Sequence, residues 1–293
     1  MLSFKKLSLN DIDAVRPYFS FSLSRACDNT VGGTFMWRDF FGTEYCVFND
    51  TLIFKVKHFG GVTAFPLPLG ADPAGSIVEI EKYCKNLGIP LVFCAATQED
   101  LEVYGKLYSS MELVSNEDWD DYLYRAEDMI NLPGRKYSGQ RNHINYFMKN
   151  FVNFAFEEIG PDNLREVRDF FTGITAAADK GTAIFIEGRE KTIELLYHYD
   201  KFDMIGGLLR VDGAVIGFAA GEILKDTLFV HVERADTAFR GAYQMLAKLF
   251  PKHFSGRGFE YVNREEDDGD PGLRTSKKAC HPIKMIRKYM VTI

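Results

Sequence analysis

Two ionisable side chains stand at the polar end of an otherwise apolar stretch, Phe229-Val-His-Val-Glu-Arg-Ala235. His231 and Glu233 are two residues apart, so they face the same side if this stretch is a strand. A histidine and a carboxylate placed together in this way could accept and donate protons. We therefore predict Glu233 and His231 as catalytic residues, with a structural hydrogen-bonded pair as the alternative. No metal site is predicted, because the pair would need a third ligand from elsewhere.

Polar residues that could bind a substrate follow this strand and the next predicted strand. Arg240-Gly-Ala-Tyr-Gln244 opens a helix, where free N–H groups and the positive end of the helix dipole can bind a phosphate. Asn263 and Arg264 end the neighbouring predicted strand, at the edge where ligands of α/β sheets commonly lie. The alternatives are that the helix start binds no ligand, and that Asn263 and Arg264 are only a strand cap and a solvated surface charge. The predicted substrate-binding residues are Arg240, Gly241, Tyr243, Gln244, Asn263, Arg264, Glu265, Arg274 and Lys277.

An acidic run and a basic tail come after these residues. Glu265-Glu-Asp-Asp-Gly-Asp270 could select a cationic acceptor, although such a run is also typical of a solvated loop. The basic residues from Arg274 to Lys288, with those of the 135–141 block, could line a groove for the phosphates of a nucleotide or a tRNA end. The net charge of −6 argues against bulk affinity for nucleic acid, so any such contact must be local.

Other motifs and the composition exclude several classes of protein. The GxSxG elbow, the GxxxxGK phosphate loop and HExxH do not occur, which excludes serine hydrolase, P-loop and zincin chemistry. The five cysteines are scattered without a CxxC pair, so neither a disulfide framework nor a zinc site is expected. The N-terminus lacks the apolar block of a secretory signal, and no apolar run approaches the roughly 20 residues that cross a bilayer. We expect a cytoplasmic protein with no transmembrane segment.

The spacing of apolar residues predicts which elements position these side chains. Both halves of the 293-residue chain show a similar order of strands and helices, with antiparallel hairpins at the two-residue turns Asn49-Asp50 and Asp212-Gly213. A helix is predicted from Asn10 or Asp11 towards Phe19, another over Asp162 to Ala178, and a last strand over Lys284 to Val291.

Charge and turn residues indicate where the two halves divide. The net charge is −8 over residues 1–130 and +2 over residues 131–293, and Asn131-Leu-Pro-Gly134 is typical of a turn. We predict a structural N-terminal domain over residues 1–130 and a domain with the candidate site over 131–293. A single α+β domain is the alternative.

Several motifs of the second half carry a resemblance to known proteins. The Arg240-Gly-Ala242 turn approximates the pyrophosphate-binding turn of Gcn5-related N-acetyltransferases, although its glycine comes one residue after the arginine and not three. A wider set of motifs comprises Arg135-Lys-Tyr-Ser-Gly-Gln-Arg141, His143-Ile-Asn-Tyr-Phe147, His231-Val-Glu-Arg-Ala235, Arg240-Gly-Ala-Tyr-Gln244, Tyr261-Val-Asn-Arg-Glu265, Gly272-Leu-Arg274 and Lys277. Together these motifs resemble the family of phosphatidylglycerol lysyltransferase C-terminal domains.

The resemblance implies an α+β fold of two tandem acyl-CoA N-acyltransferase-like domains, each with a mixed, mostly antiparallel sheet flanked by helices. It also implies an acyltransferase that takes an aminoacyl group from aminoacyl-tRNA or an acyl group from acyl-CoA. The acceptor would be an amine or a hydroxyl of a small molecule or a peptide. A lipid acceptor is not implied, because the multi-helix membrane region that accompanies lipid substrates is missing. A catalytically degenerate fold that acts as a binding or regulatory module is the alternative.

Overall fold

The computed structural model describes residues 2–176 and 183–293 of the chain. The chain forms two compact units, one over Met1–Asp121 and Ile286–Ile293 and the other over Tyr122–Met285. The predicted division near residue 130 differs from these units at two points, since residues 122–130 belong to the second unit and the C-terminal segment returns to the first. Both units are α+β, and antiparallel pairs dominate their sheets, as predicted.

The first unit contains two sheets. One has the strand order β1-β2-β3-β4 with β5 paired to β3, and the other has the order β6-β15-β7. The strands are β1 (Lys5–Lys6), β2 (Glu44–Phe48), β3 (Thr51–His58), β4 (Val62–Ala64), β5 (Leu69–Gly70), β6 (Val92–Ala96), β7 (Glu112–Ser115) and, from the C-terminal segment, β15 (Tyr289–Thr292). The helices are α1 (Ile12–Val15), α2 (Val31–Met36), α3 (Pro73–Leu87) and α4 (Gln98–Tyr104).

Local sequence signals explain several of these boundaries. Asn49 and Asp50 form the predicted hairpin turn between β2 and β3, with φ of 46° and 55°. Helix α3 begins where the Asp72 carboxylate accepts the Gly75 N–H at 2.9 Å, and it ends at Gly88, whose φ is +64°. Apolar side chains of α3, β6 and β15 then pack into one core cluster.

The second unit is built on a seven-stranded sheet with the order β14-β8-β13-β12-β11-β10-β9. Its strands are β8 (Asp121–Arg125), β9 (Phe154–Glu158), β10 (Ile205–Val211), β11 (Ala214–Leu224), β12 (Thr227–Ala235), β13 (Tyr261–Asn263) and β14 (Lys284–Ile286). Its helices are α5 (Ala126–Asn131), α6 (Ser138–Asn150), α7 (Leu164–Thr175), α8 (Ala183–Tyr197), α9 (Tyr199–Phe202), α10 (Ala242–His253) and α11 (Pro271–Lys278).

This sheet combines antiparallel pairs of strands with a parallel pair. Strands β9 to β12 form antiparallel pairs, and the predicted Asp212-Gly213 turn joins β10 to β11 with φ of 49° and 83°. Strands β12 and β13 run parallel, and α10 lies between them in the chain. Helices α5 and α10 contribute to an apolar cluster with β8, β12 and β13, so the central strands are held from one face by helices.

Three predicted elements differ in the structure. The first helix is one α-helical turn followed by a 3₁₀ helix, Arg16–Phe21, because Pro17 lacks the N–H that an α-helix needs. The single strand predicted over Lys284 to Val291 is two strands in different sheets, β14 and β15. The helix predicted over Asp162 to Ala178 is α7, and residues 177 and 178 lie outside the described residues. No helix in the described part of the chain is long and apolar enough to cross a bilayer.

Candidate functional site

Strand β13 ends after three residues paired with β12, and the candidate residues lie beyond that end. Their parallel register covers Thr227 to Phe229 opposite Tyr261 to Asn263, and β12 then continues to Ala235. A register shift between Ala220 and Gly221 lies on the other side of β12, where a Cβ on Gly221 would come within 1.9 Å of the Phe229 carbonyl oxygen. The bulge bends the neighbouring strand, and side chains span the space beyond the end of β13.

His231 is held between two carboxylates in this space. Its Nδ1 lies 2.7 Å from Glu265 Oε1, its Nε2 lies 2.9 Å from Glu222 Oε1, and its side chain is only 1% exposed. Burial by itself lowers the pKa of His231, but the hydrogen bonds to Glu222 and Glu265 outweigh that effect and raise the pKa to about 10. His231 is therefore an imidazolium at neutral pH, with both ring N–H groups donating to carboxylates.

Glu233 forms a second ion pair across the same space. Its Oε1 accepts a hydrogen bond from Arg264 Nη2 at 2.8 Å, and about a tenth of each side chain is exposed. Another Arg264 nitrogen donates to the sulfur of Cys280 at 3.4 Å, and the guanidinium lies 5.9 Å from the centre of the Tyr124 ring. Burial alone would lower the pKa of Arg264, and the Glu233 carboxylate raises it above its ordinary value.

The loop after β13 places Arg264 and Glu265. The fully buried Asn263 accepts the Glu265 N–H on its side-chain oxygen at 2.6 Å, and Glu265 has a φ of +57°. The buried Lys277 ammonium donates to the carbonyls of Arg264 at 2.6 Å and Glu265 at 3.2 Å, and also to that of Glu266. Lys277, predicted as a substrate-binding residue, thus binds the backbone of this loop.

A second buried anchor fixes the acidic run farther along. Asp267 is fully buried and accepts hydrogen bonds from Arg274 Nε at 2.8 Å, Arg274 Nη2 at 2.6 Å and the Tyr122 hydroxyl at 2.5 Å. Burial by itself raises the pKa of Asp267, but the bonds from Arg274 and Tyr122 prevail and lower it to about 2. Arg274, a second predicted substrate-binding residue, is therefore engaged by Asp267, and this part of the acidic run is an internal ion pair.

The start of α10 is built differently from the predicted phosphate site. Gly241 has a φ of +96° and its Cα lies against the backbone of α6, where a Cβ would come within 2.5 Å of the His143 carbonyl oxygen. The Ala242 N–H donates to the Phe239 carbonyl at 2.9 Å, so this group of the helix start is already bonded. The Arg240 guanidinium lies 4.6 Å from the centre of the Tyr146 ring on α6.

Tyr243 and Gln244 lie in the first turn of α10 and have different surroundings. Tyr243 is partly buried against an apolar cluster. Gln244 lines a small depression with a volume of about 20 Å³, together with Met129, Leu132, Tyr137, Gln140, Ile144, Ala247, Lys248 and Cys280.

The structure thus brings together only part of the predicted set. His231, Glu233, Asn263, Arg264 and Glu265 share the space beyond β13, with Lys277 beneath the loop. Sequence reasoning missed Glu222, Cys280, Tyr122, Tyr124 and Asp267 as partners. Glu222 and His231 lie on adjacent strands of one hairpin, so strand register was the signal that could have found Glu222.

The fold and the site define an acyltransferase-like α+β protein, in which a helix connects two parallel strands and a polar cluster lies beyond the end of the shorter one. The chain belongs to the family of phosphatidylglycerol lysyltransferase C-terminal domains, whose family model matches residues 19–292. The family resemblance inferred from the motifs of the second half is therefore confirmed, and it extends through most of the first half as well.

Solved structures share this fold along the whole chain. A conserved protein of unknown function from Bacteroides thetaiotaomicron is 27% identical, with a TM-score of 0.90 and complete coverage of both chains. The C-terminal domain of an Agrobacterium fabrum protein named as a lysylphosphatidylglycerol synthetase is 16% identical, with a TM-score of 0.71 over 97% of this chain and 92% of that one. At that identity the likeness shows the fold alone.

A curated relative matches by sequence. An uncharacterized protein of Mycoplasmoides gallisepticum is 24% identical over 194 residues, which cover 61% of this chain and 58% of that protein. The match thus spans less than two thirds of the relative's length.

Proposed function

We propose that the chain transfers an acyl group to an amine or hydroxyl of a small-molecule or peptide acceptor, at the site beyond the end of β13. The donor is an aminoacyl ester of tRNA or a thioester of coenzyme A. One observation carries the proposal, namely the cluster of Glu222, His231, Glu233, Arg264 and Glu265 beside β12 beyond the end of β13. Membership of the lysyltransferase family supports the same reaction class. Both donors are cytoplasmic metabolites, so we place the activity in the cytoplasm.

Exposure distinguishes the roles of the two carboxylates on His231. The Glu265 side chain is 22% exposed against 10% for Glu222, so Glu265 is the one that an acceptor can reach. In the proposed reaction the Glu265 carboxylate takes the acceptor's proton as the new bond to the acyl carbon forms. The ester or thioester bond then breaks, and the leaving oxygen or sulfur takes from Glu265 the proton that Glu265 accepted, which restores the carboxylate. General-base assistance of this kind contributes about 10²–10⁴-fold in rate.

His231 and Glu233 complete the proposed machinery. His231 fixes the position of the Glu265 carboxylate, because its two ring N–H groups hold Glu265 and Glu222 at once. Glu233 is fixed by Arg264 and is the second proton acceptor in the same space. His231 therefore serves as a fixed cation and not as the neutral base that a histidine with an ordinary pKa would provide.

Phosphates of the donor need cations that are not already bound inside the protein. Arg274 and Lys277 are engaged by Asp267 and by the loop carbonyls, respectively. We therefore assign the donor's phosphates to the Arg240 guanidinium, which precedes α10, with the side chains of Tyr243 and Gln244 in the first turn of that helix. The Arg240 guanidinium stacks on Tyr146, a combination that also suits a nucleotide base.

A binding module without turnover is the second candidate, and the ion pairs favour it. His231, Glu233, Arg264 and Glu265 all bind one another, so a ligand could be recognised by this cluster with no proton transfer. The two candidates differ in what a carboxylate-to-amide substitution does, since it removes a base but preserves the shape of the site.

Ligand-dependent stability tests the proposal first. The melting temperature is measured with acetyl-CoA, free coenzyme A, aminoacylated tRNA and deacylated tRNA. A donor present at 100 times its Kd adds about 2.7 kcal/mol of stability, which is readily measured as a shift in melting temperature. We expect a shift with the acyl-CoA pair or with the tRNA pair. If none of the four ligands changes the melting temperature, both donor assignments are wrong.

Transfer of a radiolabelled acyl group from the donor so identified then tests catalysis. Glu265→Gln should lower kcat about 100-fold with little change in donor affinity, because only the base is lost. Glu260→Gln removes an exposed carboxylate from the same unit and serves as the control. Donor binding without detectable transfer by the unmodified chain would favour the binding module.

A further inference from the structure

The ammonium group of Lys277 binds the loop after β13 through its backbone carbonyls, as a bound cation would. Its side chain is buried, and its ammonium nitrogen donates to three consecutive backbone carbonyls, those of Arg264, Glu265 and Glu266. The ammonium also lies 5.6 Å from the centre of the Tyr122 ring. Burying a lysine costs free energy unless its charge and its three N–H groups are satisfied, and the loop carbonyls supply that compensation.

The same three carbonyls belong to a strained segment. Glu265 has a φ of +57°, in the left-handed region that a residue with a Cβ seldom occupies. This conformation turns three successive carbonyls so that they converge on one point, and without a cation their dipoles would repel one another. The Asn263 side chain supports the segment from the other side, by accepting the Glu265 N–H at 2.6 Å.

The Glu265 conformation decides where its carboxylate points. Its Oε1 lies 2.7 Å from His231 Nδ1, and Glu222 lies on the opposite ring nitrogen. Relaxation of Glu265 to negative φ would rotate its Cβ away from β12 and break this contact. Lys277 on helix α11 thus affects the contact between His231 on β12 and Glu265, and it does so through the backbone of the loop.

We propose that Lys277 is a positioning residue, whose ammonium group acts as an internal cation that holds the 264–266 loop and aims the Glu265 carboxylate at His231. This inference rests on the proposed function for its catalytic consequence, because Glu265 is the base in that proposal. The coupling between Lys277 and His231 is a property of the fold, and it can be measured without any substrate.

Titration of His231 by NMR tests the coupling directly. The chain is labelled with ¹³C-histidine, and the His231 resonance is assigned by its absence from His231→Gln. The charged groups that face His231 are Glu222 from β11 and Glu265 from the loop, so loss of the Glu265 contact should lower its pKa. In Lys277→Met we expect the His231 pKa to fall by at least one unit, which is a tenfold loss of proton affinity. Lys278→Met, an exposed neighbour on the same helix, is the matched control and should leave the titration unchanged.

Each outcome decides the coupling. A folded Lys277→Met protein whose His231 titrates as in the unmodified chain overturns the proposal. If Lys277→Met does not fold, Lys277→Gln is measured in its place, because its uncharged amide has only two N–H donors for the three carbonyls and should therefore also lower the His231 pKa. An unchanged His231 titration in Lys277→Gln overturns the proposal equally. Absence of transferase activity in the unmodified chain would instead refute the proposed function and leave the titration result intact.

Discussion

Replacing His231 by glutamine should destabilise the protein strongly at pH 6 and weakly at pH 10. The folded protein raises the pKa of His231 from 6.5 to about 10, since the hydrogen bonds to Glu222 and Glu265 prevail over burial. A group whose pKa is raised on folding contributes its full stability below the unfolded pKa, and that stability is lost as the pH rises through the folded value. The window of loss for His231 therefore runs from pH 6.5 to about 10.

The magnitude follows from the shift and from the burial. One pKa unit corresponds to about 1.36 kcal/mol, so a rise from 6.5 to about 10 corresponds to roughly 4 to 5 kcal/mol. The His231 side chain is 1% exposed, so solvent screening removes little of this value. Removal of one partner from a buried ion pair independently costs about 3–5 kcal/mol, because the remaining charge stays buried. We expect His231→Gln to lose at least about 3 kcal/mol at pH 6.

Urea denaturation followed by circular dichroism, repeated at each pH from 6 to 10, measures this difference. Other groups titrate over the same range, but they do so in both proteins, so the difference in unfolding free energy isolates His231. The gap between the two proteins should close as the pH approaches 10. His253→Gln, at a more exposed histidine on α10, is the control and should cost little at any pH. A gap for His231→Gln that stays constant from pH 6 to 10 would show that His231 is not an imidazolium.

Two further substitutions probe the supports of the site. Arg274→Ala should cost about 3 kcal/mol at pH 7, because the fully buried Asp267 loses its bidentate partner, and the double variant with Asp267→Asn should recover part of that loss in urea denaturation. The pKa of Asp267 is lowered to about 2, so its contribution is present above its ordinary value of 3.8, and acid denaturation should remove it as the pH falls through about 2. Gly241→Ala should destabilise by about 1–3 kcal/mol, since its φ is +96° and a Cβ would come within 2.5 Å of the His143 carbonyl oxygen. Gly139→Ala in helix α6, where a Cβ meets nothing within 4 Å, should be neutral or stabilising by up to about 1 kcal/mol, and equal effects at the two glycines would contradict the account of Gly241.

Short-range sequence signals predicted the turns of the structure correctly. The turns at Asn49-Asp50 and Asp212-Gly213 need positive φ at both positions, and both form the predicted hairpins. Gly88 ends helix α3, because a left-handed residue closes the helix there and glycine adopts that conformation without strain. Motif spacing around His231 and Arg264 was enough to indicate the family, which the family model confirms.

Pairings between distant segments came only from the tertiary structure. The C-terminal segment reads as one apolar strand, yet it divides into β14 and β15, which join different sheets, since hydropathy along a chain does not say which strand will be the neighbour. Sequence spacing put His231 and Glu233 on one side of a strand, but it could not show that each would bind a residue of the loop after β13.

The same limit explains why Arg274 and Lys277 have internal partners in the structure, although they were predicted to bind substrate. Arg274 and Lys277 belong to a basic tail that could bind phosphate, and residue type alone is compatible with that prediction. Folding pairs Arg274 with the buried Asp267 and buries Lys277 against the loop carbonyls, because a buried charge must find compensation inside the protein. The sequence by itself therefore determined the local turns, most of the elements, the family and the identity of the ionisable groups. Only the tertiary structure decided which charges neutralise one another and which of the two carboxylates on His231, Glu265, stays the more exposed.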